Sequence, residues 1–245
     1  MLYFDYTASS ASVSDELVAV HRACWENLAN PGSWWTGAER VAIAAETRRA
    51  RVCSLCRERR EGLSPVSVQG EHDHLGALGP AAVDAVHRIS TDPGRLTRAW
   101  YEQTLAAGLT DAQYVELLSV LVFVISIDNF NRALGVPLEP LPEARAGEPS
   151  RYRPKTARMD DAYVPMIPAS DATGAEADLW HKNQTANVIR ALSLVPDAVR
   201  MLKKLSSAHY IPFEEVVNPR FRRHLDRAQI ELIAGRVSVL NECFY

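Results

Sequence analysis

Thr110–Gly135, TDAQYVELLSVLVFVISIDNFNRALG, decides the fold class of this chain. Thr110 or Asp111 opens a helix and Gly135 stops it, by the usual preference for capping side chains at one end and glycine at the other. Between them runs the most apolar stretch of the sequence, Tyr114–Phe130. Glu116 and Asp128 interrupt it and leave it short of a clean membrane span, so it reads as a buried core helix. The segments around it have the same period. Residues 14–29 begin on Ser14, a fitting N-cap, and place Leu17, Val20, His21, Cys24 and Leu28 at helical spacing. Gly37–Cys53 is rich in Ala, Glu and Arg, the composition of a strong helix former. PAAVDAVHRIS from Pro80 and PGRLTRAWYEQTLAAG from Pro93 each start on a proline, which suits a first helical turn, and Gly108 closes the second. No convincing strand alternation appears, and the expectation is an all-α fold.

The chain divides into three parts. Residues 1–140 form one helical unit, with a polar loop over 61–80. Residues 141–182 are a proline-rich linker, broken by Pro142, Pro149, Pro154, Pro165 and Pro168, that is expected to wrap the surface. Residues 183–245 resume the helical pattern and end in LDRAQIELIAGRVSVLNECFY. A faint repeat links the units, since each runs an amphipathic helix into a cysteine, Cys53 in one and Cys243 in the other.

Hydrophobic residues at 47% match an ordinary globular chain, and a net charge of −3 gives no reason to expect nucleic acid or an anionic membrane as a partner. The first eighteen residues have neither a basic start nor an apolar stretch, so no secretory signal is read. Four cysteines (Cys24, Cys53, Cys56 and Cys243) without such a signal point to a reducing cytoplasm. There, cysteine spacing means redox chemistry or metal more often than a disulfide framework.

Cys53-Ser54-Leu55-Cys56 is a C-x2-C. At a helix start the backbone N–H groups and the dipole stabilise a thiolate, and a second sulfur nearby can resolve the oxidised product as a disulfide. The plainer alternative is a pair of buried small hydrophobes. A zinc reading uses Cys53, Cys56, His72 and His74 as C-x2-C-x15-H-x-H. Two further readings of these histidines stand beside it, as proton carriers near the thiols or as solvated loop residues. His21 and His87 fall within helical patterns and are expected to be packing or surface residues.

At the other end Glu231 precedes Cys243 by twelve positions, with Ile230, Ile233, Val237 and Leu240 on the apolar face between them. This resembles the E-x11-C-x2-C-x3-H motif of AhpD-like alkylhydroperoxidases in the carboxymuconolactone decarboxylase superfamily. Tyr114–Pro140 and NVIRALSLVPDAVRMLKKL resemble helices of the same unit, so the resemblance covers most of the chain as two tandem units. It implies a thiol peroxidase or disulfide oxidoreductase, an antioxidant function in which a Glu/His proton relay serves a cysteine pair. It also implies a hydroperoxide substrate, an external thiol reductant, no cofactor, and a homo-oligomer. The first unit departs from the motif, with Val41 where the glutamate belongs and Arg60 where the histidine belongs. Glu46, seven before Cys53, is the nearest carboxylate. It serves the thiols if the helix bends, or else pairs with Arg49 three residues on. His72 or His74 would supply the missing histidine. An inert helical scaffold and a cysteine-independent lactone decarboxylase-like enzyme are the competing readings.

In the second unit an unbroken helix would hold Glu231 about 18 Å from Cys243 at about 1.5 Å per residue, so the chain must turn near Asn241 for a relay to assemble. The sequence given ends at the position before the second cysteine of that motif. A fragment or a decayed gene would account for this. The expectation favoured by the position of the stop is a UGA codon for selenocysteine, whose selenolate would attack while Cys243 resolves. Reading the nucleotides after codon 245 is expected to give UGA, then an open frame with a histidine codon four positions on. A UAA or UAG there refutes the selenocysteine reading.

Overall fold

The structure is a computed structural model that describes residues 3–180, 185–241 and 243. Nine α-helices and no strand occur among these residues, as the periodicity predicts. In chain order they are α1 (Asp15–Ala29), α2 (Gly37–Ala50), α3 (Ser54–Glu61), α4 (Pro80–Thr91), α5 (Arg98–Ala106), α6 (Asp111–Ala133), α7 (Asn187–Arg190), α8 (Pro196–His209) and α9 (Arg227–Leu240).

The starts follow from side chains that accept otherwise orphaned backbone N–H groups. Ser14 caps α1 through Leu17 N, and α2 and α6 open with capping boxes, Thr36 with Glu39 and Thr110 with Gln113. The segment from Pro93 differs from its expected course. Pro93–Arg95 make only a 3-10 turn, and α5 starts at Arg98, where Thr97 can cap Trp100 N. A hydroxyl acceptor outcompetes a proline start because it satisfies a backbone donor and proline only tolerates its loss.

Helix α6 is the centre. It packs against α1, α2, α4 and α8, which explains why its apolar residues do not keep to one stripe. Leu117, Val120, Leu121, Phe123, Val124 and Ile127 are fully buried in a core that continues through Trp25 and Leu28 of α1, Ile43 of α2 and Val199 of α8. That core also takes in the segment expected to skirt the surface. Val164, Ile167, Leu179 and Trp180 lie buried within it, because prolines prevent a helix there without preventing burial. Residues from beyond the linker therefore complete the core of the first unit, through α8.

A chain of neutral polar groups ties α8 to the rest. Tyr6 donates to Asn131 Oδ1 at 2.8 Å, so it accepts from His21 Nδ1 at 2.7 Å. His21 Nε2 is then an acceptor for His209 Nε2, also at 2.7 Å. Burial, with His209 beside it, pulls the His21 pKa down to about 3 and keeps the ring neutral. Helix α9, in contrast, buries none of its residues and presents Leu232, Val239 and Leu240 to solvent.

Glu116 of α6 lies buried and receives Trp34 N at 2.5 Å, with Arg40 of α2 at 3.5 Å. Burial raises its pKa and Arg40 opposes the rise. Gly32 passes directly over this carboxylate, where an added methyl carbon would stand 1.6 Å from Glu116 Oε1. The prediction is that Gly32→Ala destabilises the protein by about 3 kcal/mol, the upper range for overpacking. A lowered midpoint of urea unfolding at constant slope would register it, and an unchanged midpoint would show that the carboxylate moves aside freely.

Candidate functional site: two thiols between two carboxylate-backed histidines

Helix α2 ends at Ala50, and a short turn brings Cys53 to the N-cap of α3. Cys56 follows in the first turn, so both sulfurs lie at the positive end of the helix. They are buried, at 2% and 4% exposure, and are reduced in this structure. Together with Arg51, Arg57, Arg60 and Thr91 they line a pocket of about 460 Å³.

Hydrogen bonds fasten the loop that follows α3 over the thiols. Asp73 Oδ2 accepts from Ser54 N at 2.7 Å and Ser54 Oγ at 3.0 Å, capping α3 from a distance in sequence. Asp73 N points at Cys53 Sγ, 3.4 Å away. Leu75 N donates to Glu46 Oε2 at 3.0 Å. These ties turn His72 inward, where Nδ1 lies 3.7 Å from Cys53 Sγ and 3.5 Å from Cys56 Sγ. Its Nε2 faces Asp84 Oδ1 at 3.0 Å, and Asp84 also accepts from Arg59 and from Trp100 Nε1.

A second histidine stands opposite. His87 of α4 places Nδ1 3.2 Å from Cys56 Sγ and Nε2 2.8 Å from Glu46 Oε1. The rings of His72 and His87 are 4.2 Å apart. Both imidazoles thus turn Nδ1 to the sulfurs and Nε2 to a carboxylate. Arg59 Nη1 also lies 3.1 Å from His72 Nε2, and in the tautomer whose Nε2 protons go to Asp84 and Glu46 both Nδ1 lone pairs face inward. The two sulfurs and two Nδ1 atoms all lie within 4.8 Å of one another, a set with the donors to hold a metal ion.

The thiols differ in acidity. Burial works to raise Cys53, but the amides of Cys56 and Asp73 and the His72 ring outweigh it, and the thiol lies below its ordinary value. Burial pushes Cys56 up to about 12. Asp84 falls to about 2 against the effect of its burial, through its hydrogen bonds to His72 and Trp100. Burial lowers His87, with Glu46 opposing.

The sequence-predicted residues divide accordingly. Cys53, Cys56, His72 and Glu46 come together. Glu46 does not pair with Arg49, whose guanidinium holds the carbonyl of Asp73. His74 is exposed and accepts from Gly76 N, so it reaches neither the thiols nor the zinc set, and His87 takes the fourth place. Glu231 binds Tyr210 and Arg227 on α9. Asn241 caps the C-terminus of that helix, a helix expected to start there would fall outside the described residues, and Cys243 is exposed. Phe244 and Tyr245, which would continue the second motif, lie outside the described residues. His87 and Asp84 were missed. The available signal was their spacing, three apart on α4 with Thr91 a turn beyond His87, a polar row on a helix that otherwise buries alanine and valine.

No protein-family profile, curated protein or solved structure matches this chain. What the site can do follows from its own atoms.

In reduced, metal-free protein below about pH 8, where an ordinary thiol is mostly protonated, iodoacetamide is expected to label Cys243 and Cys53. Cys24 and Cys56, both raised to about 12 by burial, should stay unlabelled until the protein unfolds. On lowering the pH, labelling of Cys53 should fade later than that of a free cysteine, because a depressed pKa keeps the thiolate to lower pH. Peptide mapping by mass spectrometry reads the order, and Cys56 reacting before Cys53 would reverse the assignment.

Proposed function

We propose that Cys53 and Cys56 form a redox-active dithiol that reduces hydroperoxides and is reset by an external thiol reductant. The observation that carries this reading is the unbroken line from Glu46 Oε1 through His87 to Cys56 Sγ, at 2.8 and 3.2 Å. A carboxylate-backed imidazole in contact with a thiol is a general base for that thiol and a general acid for whatever leaves.

The steps balance as follows. Cys53, as thiolate with its proton on His72, attacks the terminal oxygen of ROOH. The O–O bond breaks, Cys53 becomes a sulfenic acid, and the alkoxide takes the His72 proton to leave as ROH. Cys56 then gives its proton to His87 and attacks the sulfenic sulfur. Hydroxide departs with that proton as water, and a Cys53–Cys56 disulfide remains. Two thiols have lost two electrons to the peroxide, and an outside thiol must return them.

The reading accords with the resemblance to AhpD-like peroxidases, with Glu46 and His87 in the roles of that family's glutamate and histidine, drawn from different positions in the chain. A cytoplasmic setting and a homo-oligomer go with it. Under the tandem reading, residues 183–245 form a second unit carrying Glu231 and Cys243, a thiol or selenol centre on which the Cys53–Cys56 chemistry does not draw.

Peroxide consumption by the full chain with a thiol reductant tests the proposal. Cys53→Ser is expected to abolish turnover. Cys56→Ser should keep one turnover and accumulate a sulfenic acid at Cys53 that dimedone traps. Glu46→Gln should slow the reaction by roughly 100-fold, the low end of what a positioned base contributes. If neither thiol consumes peroxide faster than free cysteine, the chain is an inert helical scaffold.

A further inference from the structure

We infer that the reduced site also binds one Zn2+ ion through Cys53 Sγ, Cys56 Sγ, His72 Nδ1 and His87 Nδ1. The occupancy rests on geometry alone, and its consequence for turnover rests on the proposed peroxidase reading.

A tetrahedral zinc with Zn–S near 2.3 Å and Zn–N near 2.0–2.1 Å has sulfur-to-nitrogen edges of about 3.5–3.6 Å. Three of the four sulfur-to-nitrogen edges are 3.7, 3.5 and 3.2 Å, and the fourth lies within the 4.8 Å that bounds the whole cluster. Side chains from the start of α3, from the loop after it and from α4 converge on this one spacing, each turning a ligating atom inward.

The outer contacts favour the same ion. A histidine that ligates zinc gives its other ring nitrogen to a carboxylate or carbonyl, which fixes the tautomer and raises the basicity of the ligating nitrogen. Both rings do so, His72 to Asp84 and His87 to Glu46, at 3.0 and 2.8 Å. Asp73 N at 3.4 Å supplies an N–H to the Cys53 sulfur, which helps to carry thiolate charge.

Charge decides between cations. Two thiolates and a dication sum to zero, which makes burial of the cluster tolerable where a net charge would be costly. Two sulfurs and two imidazoles suit zinc and exclude the hard cations Mg2+ and Ca2+. All four positions come from the protein, so the ion leaves no site for water and is not hydrolytic. It would instead close the dithiol and pin the loop between α3 and α4.

Zinc and peroxide then compete for the same two sulfurs. Two zinc-bound thiolates, one ROOH and two protons yield the disulfide, ROH, water and free Zn2+. A disulfide is a poor ligand, so oxidation ejects the ion.

The test uses the reduced full chain, dialysed against Zn2+ and separately against Co2+. Expected are one ion per chain and, for Co2+, the intense visible bands of tetrahedral thiolate coordination. His87→Gln and Cys53→Ser should each weaken binding at least 100-fold, Asp84→Asn by 10- to 100-fold, and His74→Ala not at all. Circular dichroism confirms that each variant is folded. A hydroperoxide should release one Zn2+ per disulfide formed, read with a chromogenic chelator. Failure of the folded, reduced protein to bind stoichiometric zinc overturns the inference, as does a loss with His74→Ala equal to that with His87→Gln. Zinc binding in a protein whose chelated form consumes no peroxide would retain the metal site and refute the peroxidase. Peroxide turnover without zinc binding would do the reverse.

Discussion

Two negative charges that α6 carries into the interior govern the arrangement of everything around them. Glu116 and Asp128 are both buried, and an unpaired buried carboxylate is too costly to persist. Arg40 and Arg48 of α2 answer them, at 3.5 and 2.7 Å. The earlier arginine meets the earlier carboxylate, so the two helices run in the same sense and cannot slide past each other. Ile43, Ala44 and Thr47 fill the space between the two pins. With that face committed to α6, α2 turns Glu46 toward α4, which also packs on α6. The carboxylate of the site is therefore aimed by ion pairs that take no part in its chemistry.

The thiols depend on this frame indirectly. They sit on α3, a short helix that contributes only Leu55 and Cys56 to the interior and forms, with Cys53 and Val68, a small cluster apart from the main core. So short a helix has little stability of its own. Its position comes from hydrogen bonds, with Asp73 on its first turn and Arg95 on the carbonyls of Arg59 and Gly62 at its end. The loop residue that caps α3 adjoins the histidine that meets the sulfurs, so forming the helix and assembling the site are one event. Rigid ion pairs set the far side of the site, and a capping carboxylate sets the near side.

The sequence carried the parts of this that local chemistry dictates. Ser14 and Thr110 announced their helices because a cap acts within its own turn, and the length and composition of α6 identified it as core. The Cys53–Cys56 pair was legible because its two sulfurs are fixed relative to each other by one helical turn. His87 was not, since a histidine among alanines and valines on an amphipathic helix carries no local mark of the glutamate it meets from α2. His72 and His74 looked equivalent for the same reason. What separates them is Asp73 turning onto α3 and Leu75 onto Glu46, contacts that exist only once the helices have packed. The proline-rich segment shows the complementary limit. Proline reports what the backbone cannot do, and nothing in that rule foretold that Met166 and Ile167 would be fully buried.

Proton, metal and oxidant draw on one set of four atoms, and the outer contacts suit all three without rearrangement. With a proton on each thiol, Cys53 can donate to His72 and Cys56 to His87, and every lone pair has a partner. Exchanging those two protons for a dication leaves the total charge unchanged, and the Nε2 contacts with Asp84 and Glu46 stay in place in either case. Forming a disulfide also removes two protons and leaves the total charge unchanged, but it takes both sulfurs out of play as ligands. The imidazoles then become the pair that receives and returns the protons. Because the three states carry the same total charge, none adds a buried charge relative to the others, and the balance among them is set by the supply of protons, metal and oxidant. That constancy follows from having two thiols, whose protons balance one dication, while the two histidines, His72 held by Asp84 and His87 held by Glu46, complete the four donors.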